Sequence, residues 1–141
     1  MHQSKSFEEL RVGDSESLSL TISEKHVEAF AEATGDRNPI HMDKDYADSS
    51  QFGRRIAHGV LLTGIVSGIL GTKLPGLGTV ARQMDAKFSR PAYIGDTVTA
   101  TVTLKRKREK LKMCEFNYKV TNQKEKTIVR GKAVVIPKSK S

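Results

Sequence analysis

From Ile56 to Leu70 nearly every residue is apolar or glycine, and His58, Thr63 and Ser67 are the polar exceptions. A run of that length suits a helix buried on most sides, and it is too short for a bilayer, which takes about twenty apolar residues. Gly59, Gly64, Gly68 and Gly71 fall on or beside it. Inside a helix each costs about 1 kcal/mol relative to alanine. A sequence that accepts them needs close backbone approach, as when a strongly curved sheet wraps the helix. The rest of the chain must then supply the cover.

It reads as strands. Phe7 to Ser15 is a lead-in with a turn at Gly13-Asp14, and Ser17 to Ile22 puts Leu18, Leu20 and Ile22 on one face. That alternation predicts a half-buried strand. Ser23 can cap a following helix whose stripe is Val27, Phe30, Ala31 and Thr34, ending at Gly35. Asp43 to Ser50 allows one or two helical turns too polar for a core. After the LPGLG loop (74–78), strands are expected over Thr79 to Ser89, Thr97 to Lys105, Met113 to Thr121 and Ile128 to Ile136. Val98, Ala100, Val102 and Leu104 share a face of one, and Cys114, Phe116, Tyr118 and Val120 a face of the next. The tail, 137–141, is expected to be disordered. The class is α+β, an antiparallel sheet around one apolar helix, in a single domain over 1–141. Its free edges suit pairing across a dimer.

The chain has one cysteine, Cys114, which excludes an internal disulfide framework and a structural zinc cluster. Its place beside Phe116 marks a buried, inert thiol. The N-terminus lacks the apolar stretch of a secretory signal, so a cytoplasmic location is expected. The net charge is +8, and six of the eight residues from Lys105 to Lys112 are basic. Such a run is usually a solvated hairpin end. It contains no aromatic for base stacking, so nucleic acid is not an expected partner. A phosphate-bearing or acidic-carrier substrate is, with Arg and Lys near 82–90 and 105–112 as the candidate contacts.

Thr34 to Met42 carries the chemistry-bearing pair, Asp36 and His41, five residues apart. Gly35, Asn38 and Pro39 punctuate the segment, which is expected to be a stiff loop rather than a helix. One carboxylate and one imidazole held still are what general acid–base catalysis needs; the plain alternative is a helix cap followed by a polar turn without chemistry. Asn38 is a natural loop former. Asp36, His41, Asp43 and Asp45 match no zincin-type spacing, so no metal is expected. His58, next to Gly59 at a helix start, reads as structural, and His2 and His26 as surface residues.

FEELRVGD (7–14), FAEATGDRNPIHMD (30–43), the AHG of 57–59 continuing to SGILG (67–71), and PAYIGDTVTATV (91–102) together resemble the MaoC-like dehydratase family. The resemblance spans nearly the whole chain. It implies the hot-dog fold, a homodimer or higher homo-oligomer, no cofactor, and a hydro-lyase acting on trans-2-enoyl thioesters in fatty acid metabolism, as an (R)-specific enoyl-CoA hydratase. It assigns Asp36 and His41 to proton transfer, the Gly59 N–H to the thioester oxygen, and Asn38 and Ser67 to support. Arg55 stands where family members commonly have proline, and Val60 where many have methionine. The alternatives are a 3-hydroxyacyl-[acyl-carrier-protein] dehydratase of fatty-acid synthesis and, from another class, a non-catalytic acyl-CoA or nucleic-acid binding module on the same scaffold. A thioesterase on this fold is expected to lack the D-x-N-P-x-H segment.

Overall fold

The computed structural model describes residues 3–139. Six strands form one antiparallel sheet: β1 (Ser15–Thr21), β2 (Val80–Met84), β3 (Lys87–Phe88), β4 (Thr97–Arg108), β5 (Met113–Thr121) and β6 (Thr127–Ile136). Their order is β1-β4-β5-β6-β2, with β3 also on β6. A 3-10 turn at Phe7–Glu9 and four α-helices accompany them: α1 (Glu24–Thr34), α2 (Pro39–Met42), α3 (Lys44–Asp48) and α4 (Gly59–Thr72).

Period-two patterning sets the core. Val98, Ala100, Val102 and Leu104 of β4 point inward with Cys114, Phe116, Tyr118 and Val120 of β5, and all are buried. Val129, Ala133 and Val135 extend the same face on β6. Against it lies α4, burying Leu62, Val66, Ile69 and Leu70 and touching β1, β4 and β6. A sheet that reaches one helix from its first strand and its fourth must curve round it. This is the hot-dog arrangement expected above. Cys114 is fully buried, and burial pushes its thiol up to about 11, which leaves it inert near neutral pH.

The structure corrects several expectations. Residues 79–89 are two strands, because the chain at Asp85 folds over β6. Gly131 has no room for a Cβ against the Asp85 backbone, and the Asp85 carboxylate accepts the Lys132 N–H at 2.9 Å. The helix glycines are also not explained by a wrapping sheet. Ideal Cβ atoms at Gly64, Gly68 and Gly71 meet nothing within 4 Å, and α4 shows an open flank with Gly64, Ser67 and Gly68 exposed. Val60 on the same helix is 60% exposed. The segment after Asn38 is not all loop, since Pro39–Met42 makes a helical turn. Proline is well tolerated at the first helical position, and the Asn38 side chain caps the turn by accepting the Ile40 N–H at 3.2 Å.

The basic run ends a hairpin, as its composition suggested, but three of its cations pack onto the fold. Lys107 donates to the Leu10 carbonyl and lies over Phe7, Lys112 reaches Phe7 and Glu8, and Arg108 meets Glu115. Of the expected tail, 137–139 carry no helix or strand, while 140 and 141 lie outside the described residues, as does His2. No helix among the described residues is long and apolar enough to cross a membrane.

Candidate active site

The site is built where α1 stops and α4 starts. Ser23 caps α1, its hydroxyl accepting the His26 N–H at 3.2 Å, so His26 is a half-buried capping residue rather than a free surface one. At the other end Gly35 takes φ +79°, the left-handed conformation that turns the chain out of the helix. Asp36 follows at once. Its N–H is held by the Thr34 hydroxyl at 3.2 Å, and its carboxylate accepts the Asn38 N–H at 3.3 Å while staying exposed.

His41, on α2, is buried. Its Nδ1 lies 2.8 Å from the Ile56 carbonyl oxygen, which can only accept, so Nδ1 carries the proton and Nε2 keeps its lone pair. Burial lowers the His41 pKa, and the neighbouring His58 lowers it further, against the opposing pull of the Ile56 hydrogen bond and Asp36. His41 is therefore neutral at neutral pH, with an accepting nitrogen. Arg55 braces this turn: its Nε donates to the His41 carbonyl at 2.7 Å, and its Nη1 meets Glu24 at 2.7 Å. A proline at position 55 could make neither contact.

His58 is the residue that sequence reasoning undervalued. It is the N-cap position of α4 and almost fully buried, with its ring between Phe30 and His41 at centroid distances of 4.6 Å and 4.0 Å. Its Nε2 donates to the Asp36 carbonyl at 2.9 Å, and its buried Nδ1 has no partner among the described residues. One imidazole thus ties the backbone of Asp36 to the ring of His41. Only its adjacency to Gly59 hinted at this, because the stack is a tertiary contact. A ligand atom from each of Asp36, His41 and His58 lies within 4.8 Å of the other two. The two imidazole planes are tilted by 32° to one another, with their centroids 4.0 Å apart.

Gly59 is the first residue of α4, where the N–H has no acceptor within the helix. It lines a cavity of about 450 Å³ together with His41, Phe52, Leu62, Phe88 and Arg90. An ideal Cβ at Gly59 would sit 2.7 Å from the Phe88 ring, so close packing against Phe88 now accounts for this glycine. Ser67 is not brought into the group. It is exposed, eight residues along α4 from Gly59, or about 12 Å at the helical rise.

A MaoC like domain matches residues 12–126. The chain belongs to the MaoC-like domain family. Over 92% of its length this MaoC-like chain is 42% identical to the (R)-specific enoyl-CoA hydratase of Rhodospirillum rubrum, spanning 90% of that protein. The unliganded R-hydratase of Pseudomonas aeruginosa superposes with a TM-score of 0.91 at 34% identity, covering 96% of this chain and 86% of that one. The (R)-hydratase of Aeromonas caviae involved in PHA biosynthesis gives 0.88 at 36% identity, covering 93% and 98%. The MaoC-like fold and the expected hot-dog architecture therefore agree.

Proposed function

We propose that this chain is a hydro-lyase, an (R)-specific enoyl-CoA hydratase that adds water reversibly and syn across a trans-2-enoyl-CoA to give an (R)-3-hydroxyacyl-CoA. The observation that carries the reading is the Nε2 lone pair of a neutral His41 beside the Asp36 carboxylate, at a cavity lined by the first residue of α4. Water held between Asp36 and His41 gives a proton to Nε2 as its oxygen attacks C3. The C2–C3 π electrons move onto the thioester oxygen, where the Gly59 N–H and the start of α4 stabilise the charge. The imidazolium then returns a proton to C2 on the same face. Asp36 holds the second water O–H and offsets the positive charge on His41. Asn38 supports the pair by capping the turn that carries His41.

A homodimer belongs to the same reading. The open flank of α4, with its unobstructed glycines, suits a second copy packed closely along it. Ser67 lies on that flank, so its contribution is made across the contact.

Incubating the protein with crotonyl-CoA and resolving the product tests the function. (R)-3-hydroxybutyryl-CoA is expected. Release of free coenzyme A thiol would instead indicate a thioesterase, and the (S) product would contradict the proposed facial geometry.

A further inference from the structure

A second concavity, of about 250 Å³, opens beside the first and shares Arg90 and Pro91 with it. Its lining carries three cations, Arg54, Arg90 and Lys124, and one carboxylate, Asp96. The carboxylate does not neutralise them. Asp96 is buried, and its two oxygens accept the Tyr93 N–H at 2.9 Å and the Gln123 amide at 3.0 Å. None of the three cations has a carboxylate partner among the described residues. The contrast with the adjacent arginine is direct, because Arg55 is engaged by Glu24 and the His41 carbonyl while Arg54 faces solvent.

The fold also orients these cations. The Arg54 guanidinium lies over the Tyr93 ring, 4.0 Å from its centroid, and the Tyr93 hydroxyl is fixed to the Phe52 carbonyl. Stacking of this kind sets the plane of the guanidinium and leaves its N–H fork pointing outward. One Arg90 nitrogen donates to the Thr127 carbonyl, leaving the other donors available. Lys124 sits in the β5–β6 turn, which Asn122 orders by accepting the Lys124 and Lys126 N–H groups. Unpaired cations in a cleft focus anions there, and guanidinium forks match phosphate oxygens.

We propose that the Arg54–Arg90–Lys124 groove binds the clustered phosphates of the coenzyme A nucleotide while the thioester and acyl chain occupy the cavity beside His41. This rests on the hydratase reading and extends it to the carrier. Coenzyme A bears a diphosphate and a 3′-phosphate at the end of its pantetheine arm, whereas an acyl carrier protein offers one phosphodiester there. Three unpaired cations match the former.

The test compares crotonyl-CoA with crotonyl-pantetheine, which has the same reacting end and no phosphate, on the wild type and on an Arg54→Gln/Lys124→Gln variant. The ratio of kcat/KM for the two substrates is expected to fall roughly tenfold in the variant, about the loss of one charge-assisted hydrogen bond. The loss should lie in KM rather than kcat. An unchanged ratio overturns the proposal, and so does a variant that loses turnover of a crotonyl carrier protein while keeping that of crotonyl-CoA. Calorimetry with adenosine 3′,5′-bisphosphate reads the groove without catalysis. Binding by the wild type and not by the variant upholds the groove even if the chain hydrates nothing, and equal binding by both refutes it.

Discussion

In the proposed reaction His41 is a neutral base, and its surroundings favour that form. Burial and His58 hold its pKa below the ordinary histidine value of 6.5. The acid limb of kcat/KM reports the free enzyme's base and is therefore expected below that value. Replacing His58 by glutamine keeps a donor for the Asp36 carbonyl but removes the neighbouring imidazole. The His41 pKa then rises and the acid limb moves to higher pH. A pH profile of the His58→Gln variant that coincides with the wild type would show that His58 plays no part in tuning the base. The same logic gives a stability effect. The neutral form is favoured in the folded state, so this contribution is whole above pH 6.5 and is lost as pH falls through the lowered value. Arg55 acts on the same residue from outside. Arg55→Ala should lower kcat by loosening the His41 turn, with little change in melting temperature, because its partner Glu24 is largely exposed.

At the scale of elements, α4 joins core to chemistry. Leu62 is buried in the core and also lines the cavity, so Leu62→Ala should destabilise by about 2–5 kcal/mol, measured by chemical denaturation. Gly59→Ala drives its new methyl into Phe88. Phe88 is half exposed on a two-residue edge strand and can move, so the fold should survive, while the cavity wall shifts and kcat/KM falls at least roughly tenfold. The alternating strands β4 and β5 were legible in the sequence because one face is wholly buried and the other is not. Read as a breaker, Pro39 predicts a loop where α2 forms, whereas at the first helical position its missing N–H costs nothing. The split between β2 and β3 was not legible, since it follows from Asp85 packing on Gly131 forty-six residues later in the chain. The α4 glycines stand out in the sequence, but Gly64, Gly68 and Gly71 line an open flank rather than a wrapping sheet. Asp36 and His41 lie five residues apart, so their proximity is readable in the sequence, while His58 and the Arg54 groove depend on contacts between segments far apart in sequence.

The whole molecule carries a net charge of +8, yet its most conspicuous basic run is partly engaged by its own hairpin and lead-in. The cations that remain available in the groove are scattered in sequence at 54, 90 and 124. The glycine flank of α4 is where a second copy is expected. Sedimentation should then give a dimer, and Gly68→Arg, which places a long charged side chain on that flank, should give monomers with reduced activity. A wild-type monomer with full activity would remove the dimer from the account.

The central claim is that Asp36 and His41 move the protons of hydration. The loss of enoyl-thioester absorbance from crotonyl-CoA, followed for wild type, Asp36→Asn and His41→Ala, tests it most directly. General acid–base groups contribute typically about 10²- to 10⁴-fold, so each variant should lose at least roughly 10²-fold in kcat while keeping its circular dichroism spectrum. Folded variants that retain wild-type rates would show that the hydration chemistry does not depend on this pair.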